Sequence, residues 1–300
     1  MMKKISKYGP LFIVIAALLW SLDGVLRREL YALPPAVVVF YEHAIGALVL
    51  LPFIGLWWKD LKKMSRNEWI AMIVVSIFSG ALGTIFYTAA LGKVNYIQYS
   101  VVVLLQQLQP IWAILAAAVI LKEKISKNFV VWAALALVAA YIITFKDLRI
   151  NLSSGNGTLI AGILALSAGF MWGTSTAFSK YVLNKVSFLT ATALRFFLAP
   201  LFALGMVASN NQLGAMTSLS NGQWISLGII VLTSGLLALA IYYYGLKKTP
   251  ARVTTICELT WPASAIFIDY FYFHNPLSPT QIFGVVLLAI AMYKVAAFEK

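Results

Sequence analysis

Long apolar stretches follow one another along the chain, interrupted only by short polar breaks. Each stretch is about twenty residues long, enough at 1.5 Å per residue to cross a hydrocarbon core of roughly 30 Å as a helix. In lipid every backbone N–H and C=O must find a partner within the protein, so these stretches are predicted to be helical. The pattern predicts ten spans: 9–29, 34–58, 68–91, 97–121, 127–146, 157–180, 187–208, 223–246, 251–273 and 278–297. Prolines and polar clusters mark the breaks, at Pro34-Pro35, Ser65-Arg66-Asn67, Ser153 to Gly157, Asn210-Asn211 and His274 to Pro279. The predicted fold class is an all-α integral membrane protein of ten transmembrane helices.

Composition sharpens this reading. Of 300 residues, 61% are hydrophobic and 11% charged, against about half and about a quarter in soluble domains, and no stretch is left over for a soluble catalytic domain. A net charge of +13 would suggest a nucleic-acid partner in a soluble protein. Here the cations sit in short loops, so they report topology and no nucleic acid is expected. Only Arg27, Arg28, Lys93, Lys146 and Arg149 fall on one side of the predicted bundle. Arg195 lies within a span, and the rest of the 23 Lys and Arg are on the side of the N-terminus. The bias predicts that both termini are cytoplasmic. A single cysteine, Cys257, excludes an intramolecular disulfide and a cysteine-rich metal site. The first apolar run has no small-residue cleavage site behind it and reads as a first helix, not a removable signal.

A constant offset places Trp20 on Trp172, Arg28 on Lys180, Pro110 on Pro262, Ser126 on Ser278 and His43 on Arg195, with a local drift where Ala90-Leu91 meets Gly245-Leu246. Two repeats follow, residues 1–148 and 153–300, with five helices each. An odd number of crossings makes the second copy enter from the opposite side, the inverted-repeat plan of many secondary transporters.

Trp172-Gly173 with Lys180 beyond it, Arg195 in the seventh span, and Pro110 followed by Leu121-Lys122-Glu123 resemble the patterns of the drug/metabolite transporter superfamily, EamA type, which includes the YddG aromatic amino acid exporters. Ser21 after Trp20, His43 in place of Arg and Asn275 in place of Glu depart from that pattern. The resemblance implies an exporter or facilitator of amino acids or related metabolites in a bacterial or archaeal cytoplasmic membrane.

Ionisable residues inside spans cost at least about 2.5–3.5 kcal/mol at the bilayer centre and usually face a partner or a wet cavity. Asp23 and Arg27 are four apart on one helix face, either a helix-end pair or part of a pathway. Glu42 and His43, Arg195 and Glu258 lie deeper. Gln106, Gln107 and Gln109 surround much of the fourth helix, as substrate ligands or as interhelical glue. Trp20, Trp112, Trp172 and Trp261 lie inside their helices and could wall an aromatic cavity, whereas Trp57, Trp58, Trp69 and Trp224 fit interfacial belts and Lys180 a snorkelling position. The residues expected on the substrate pathway are Trp20, Asp23, Glu42, His43, Gln106, Gln109, Trp172, Arg195 and Glu258.

The expected function is secondary transport of a small organic solute by alternating access, with multidrug or nucleobase-type efflux as the alternative. A membrane-embedded enzyme is disfavoured because the two histidines, His43 and His274, form no metal-ligand cluster with carboxylates. No cofactor or metal is expected, and the partners are the solute and the lipid bilayer. Glu42 or Glu258 could exchange a proton in a partly dry cavity and drive antiport. A neighbouring cation, His43 beside Glu42 or Arg195 across the cavity, would instead hold it charged and give a facilitator, the preferred reading because no carboxylate is visibly isolated from basic residues in the sequence.

Overall fold

The computed structural model describes residues 8–93, 106, 108–148, 155–274 and 276–297. Residues 97–105 of the fourth predicted span, Gln107, Asn275 and the basic residues Lys3, Lys4, Lys7, Arg149 and Lys300 lie outside them. Among the described residues regular structure is helical throughout. The helices are α1 Gly9–Leu26, α2 Pro35–Leu61, α3 Arg66–Lys93, α4 Gln109–Ile120, α5 Lys127–Thr144, α6 Gly155–Leu183, α7 Phe188–Ser209, α8 Asn221–Lys248, α9 Ala251–Cys257, α10 Thr260–Phe273 and α11 Pro279–Ala297. Eight of them are long and apolar enough to cross a membrane. The exceptions are α4, described only in its second part, and the ninth predicted span, which breaks into α9 and α10.

Local chemistry sets the boundaries. Serine hydroxyls accept from the first-turn N–H groups of α3, α5, α7, α8 and α11, at Ser65, Ser126, Ser187, Ser220 and Ser278, satisfying donors that would otherwise be orphaned. Glu68 and Gln223 complete capping boxes at Ser65 and Ser220. The break in the ninth span has a specific cause: Pro262 has no N–H for the Glu258 carbonyl, four residues earlier, and its ring crowds that carbonyl. Pro110 stands in the same relation to Gln106, just before the α4 helix begins.

The interior is built from small side chains: Ala16, Ala113, Ala117, Ala139, Ala165, Ala168 and Ala177 are fully buried. Many large apolar side chains point outward, with Val119 78% and Leu159 71% exposed, while others such as Phe145, Phe196 and Tyr243 fill the core. That distribution suits helices that meet closely and show their bulk to lipid. Where α6 crosses α4, a Cβ on Gly173 would lie 2.5 Å from the Gln109 carbonyl oxygen and 3.0 Å from Trp112 Cβ, so the crossing requires glycine. In space α1 packs on α8, α2 on α7, α3 and α4 on α6, and α5 on α11.

Both α3 and α8 carry a stretch of π-helix, at Ser76–Leu82 and Val231–Gly235. Such widened turns expose carbonyls and side chains inside an otherwise regular helix. Ser79 of the first stretch and Ser234 and Gly235 of the second line one common space.

Candidate functional site

The π-turn of α3 frees the Ser79 carbonyl, which accepts from Arg195 Nη2 at 2.8 Å, Trp172 Nε1 at 3.3 Å and Thr84 Oγ1 at 3.1 Å. One backbone oxygen thus orients an arginine from α7 and a tryptophan from α6. The π-turn of α8 presents Ser234, whose hydroxyl donates to Asp23 Oδ1 at 2.9 Å. Asp23 in turn accepts from Arg27 Nε, and Arg27 Nη2 reaches Glu42 Oε2 at 2.7 Å. Arg27 is 3% exposed and also approaches the Thr88 hydroxyl. Two carboxylates therefore share one buried guanidinium, the compensation that makes buried charge tolerable.

Glu258 sits at the α9–α10 break. Its two oxygens accept from Gln109 Nε2 at 2.6 Å and from the Tyr242 hydroxyl at 2.7 Å, and Tyr242 also lies 3.2 Å from Thr176 Oγ1. Among the described residues no cation forms an ion pair with it. The expectation that every carboxylate has a basic neighbour therefore fails here, because the fourth helix brings a glutamine where a cation would be needed. His43 is buried against Phe196, ring centroids 5.1 Å apart, with Nδ1 3.0 Å from the Val39 carbonyl.

These groups surround one cavity of about 170 Å³. All nine residues named from the sequence, Trp20, Asp23, Glu42, His43, Gln106, Gln109, Trp172, Arg195 and Glu258, line it. Aromatic rings form much of its wall: Trp20 lies 5.0 Å from Tyr242, and Tyr87 lies 5.4 Å from Trp172 and 6.3 Å from Trp261. The Trp261 indole N–H donates to the Trp20 carbonyl at 3.1 Å. Among the described residues, Gln106 Oε1 and Arg195 Nε are buried at this cavity without a hydrogen-bond partner.

Several expectations change. Trp112 does not line the cavity; it is 37% exposed and meets Phe170 edge-on. Lys180 donates its ammonium to the Leu246 and Lys247 carbonyls at the end of α8, at 2.7 and 3.0 Å. Trp57 is buried and donates to the Leu50 carbonyl instead of joining a belt. Sequence reasoning missed Ser79, Tyr87, Ser175, Ser179, Ser234 and Tyr242 as lining residues. Trp172, Ser175, Thr176 and Ser179 recur at helical spacing on one face of α6, a legible signal, whereas the π-turns that place Ser79 and Ser234 leave none.

Away from the cavity, at the end of the bundle where α1 begins, the helix junctions are tied by charge. Glu123, after α4, accepts from the Ala251 and Arg252 backbone N–H groups at 2.8 and 3.2 Å and pairs with the Arg252 guanidinium at 3.1 Å. Asp60 accepts from Ser187 N at 2.8 Å and the Thr190 hydroxyl at 3.0 Å. Both carboxylates satisfy orphaned donors at a helix start.

Comparison with known proteins agrees with this architecture. The chain is 35% identical over 290 residues to the riboflavin transporter ImpX of Fusobacterium nucleatum subsp. nucleatum, covering 96% of this chain and 97% of that protein. It is 28% identical over 301 residues to protein LicB of Haemophilus influenzae, with 94% of each chain covered. Over 178 residues it is 29% identical to the pseudopaline exporter CntI of Pseudomonas aeruginosa, covering 59% of this chain and 58% of that one. A solved crystal structure of a protein 16% identical in sequence superimposes with a TM-score of 0.75 over 97% of both chains, a likeness of fold. The model of the EamA-like transporter family matches twice, at residues 7–145 and 159–296. The polar, aromatic-walled cavity thus lies inside an integral membrane protein that belongs to the EamA-like transporter family.

Proposed function

We propose that the protein carries a neutral, flat aromatic solute of the flavin type, with riboflavin the first to test, by alternating access around the central cavity. The observation that carries this reading is the wall itself: Trp20, Tyr87, Trp172, Tyr242 and Trp261 face a space also lined by Gln106 and Gln109. Stacked rings suit an isoalloxazine face, and amides suit the alternating donors and acceptors of its dioxopyrimidine edge. Gln106 Oε1 and Arg195 Nε, an acceptor and a donor without partners among the described residues, suit that edge or the ribityl hydroxyls. Asp23 and Glu42 are both engaged with Arg27, which favours a neutral solute over a cationic one. The similarity to a riboflavin transporter over nearly the whole chain supports the same choice.

The moving parts are the two five-helix repeats, residues 1–148 and 153–300, arranged as ten spans in opposite orientation with both termini in the cytoplasm. Support comes from the helix pairing, since exchanging the halves turns the α1–α8 contact into the α6–α3 contact and leaves α2–α7 and α5–α11 unchanged. A second reading, export of an amino acid, is favoured by one observation: Arg195 makes no ion pair among the described residues and could take a substrate carboxylate. Fluorescence titration of riboflavin with the purified full-length protein separates them. Saturable quenching that aromatic amino acids do not reverse is expected. Absence of quenching, with saturable binding of an amino acid instead, supports the second reading.

A further inference from the structure

We infer that Glu258 is the site at which the protein binds and releases a proton, and that solute movement is linked to this proton; the linkage, though not the proton site, rests on the transport reading above. Three membrane carboxylates line the cavity, and their partners divide them into two kinds. Asp23 and Glu42 are bound to Arg27. Protonation of Asp23 or Glu42 would remove half of an ion pair and leave the buried Arg27 guanidinium with less opposing charge. Those two carboxylates are a fixed clasp joining α1 to α2.

Glu258 has no such cation among the described residues. Its partners are the Gln109 amide and the Tyr242 hydroxyl, each of which holds both a donor and an acceptor. When Glu258 is anionic, both donate to it. When it is protonated, the new O–H can be accepted by the Gln109 carbonyl oxygen after an amide flip, or by the Tyr242 oxygen, so either state leaves its neighbours satisfied. Glu258 is partly exposed and lines the cavity, which gives a path for the proton. Its place at the α9–α10 break, within a short reach of α4 and α8, couples its state to the contact between the two halves.

Among the described residues no charged side chain forms an ion pair with Glu258. From α8, Tyr242 and Tyr243 face this region, and Cys257 is the adjacent thiol on α9. The nearest cation of α6, Lys180, is committed to carbonyls, and Lys294 of α11 lies over the Trp132 ring. Asp23 and Arg27 of α1 are engaged with each other, and Glu42, His43 and Arg195 line other parts of the cavity wall.

The test has a solute-free arm and a transport arm. In infrared difference spectra of the reconstituted full-length protein across a pH titration, the C=O stretch of one protonated carboxyl is expected to appear at low pH. It should be absent in Glu258→Gln and retained in Glu42→Gln. A titrating band that survives Glu258→Gln, or no titrating band in the wild type, overturns the proton site whatever the solute is. In proteoliposomes loaded with riboflavin, an imposed pH gradient is expected to change wild-type flux several-fold, while flux through Glu258→Gln, at whatever rate remains, is the same with and without the gradient. Wild-type flux indifferent to the gradient overturns the linkage. Absence of riboflavin flux in the wild type, with the infrared band intact, counts against riboflavin as the solute and leaves the proton site standing.

Discussion

Removal of the Arg27 guanidinium tests whether the charge clasp holds the bundle together. In Arg27→Met the side chain keeps its apolar bulk, but Asp23 and Glu42, 13% and 8% exposed at their side chains, lose their common cation. Breaking a buried ion pair from one side typically costs about 3–5 kcal/mol, mostly through the charge left behind. Asp23 retains the Ser234 hydroxyl as a donor, which places the expected loss toward the lower end, about 3 kcal/mol. A second substitution, Glu42→Gln, removes one stranded charge, so Arg27→Met/Glu42→Gln should be more stable than the sum of the single losses by about 0.5–3 kcal/mol. Equilibrium unfolding in lipid–dodecyl sulfate mixed micelles provides all four corners of this cycle. A loss below about 1 kcal/mol for Arg27→Met, or strict additivity in the double variant, would refute the claim that these charges compensate each other.

Three further outcomes follow from the packing and the wall. Glu123→Ala strips the acceptors from the start of α9 and the partner from Arg252, and should cost about 1–2 kcal/mol in the same unfolding assay, with Glu123→Gln losing less. Gly173→Val drives a side chain into the Gln109 carbonyl 2.5 Å away and should destabilise by about 1–3 kcal/mol, visible as a lower midpoint of unfolding. Trp172→Ala removes a ring from the cavity wall and should weaken riboflavin binding at least about tenfold, ~1.4 kcal/mol, in the fluorescence titration.

Much of this was legible in the sequence because the membrane imposes simple rules. Apolar length gives the spans, serines before them give the helix starts, and Pro110 and Pro262 locate the interruption beside Gln106 and Glu258. Ionisable residues in apolar runs are expensive enough that Asp23, Glu42, His43, Arg195 and Glu258 point to one wet space, and all five line it. What stayed hidden depends on backbone geometry and on which helices meet. Ser79 is an unremarkable serine until a π-turn frees its carbonyl for Arg195 and Trp172. Trp112 and Trp172 look alike in sequence, yet one faces outward and the other inward, because the rotation of α4 against α6 is set by Gly173. That Glu258 has no ion-pair partner among the described residues is likewise a matter of pairing, since Gln109 and Tyr242 arrive from other helices to meet it.

The central claim, that this cavity carries a flavin, is tested most directly by flux of radiolabelled riboflavin into proteoliposomes of the purified protein. The account predicts saturable entry well above protein-free vesicles, suppressed by excess unlabelled riboflavin but not by tryptophan, and strongly reduced in Trp172→Ala. Riboflavin entry no faster than in empty vesicles, from protein that carries tryptophan in the same preparation, would contradict it.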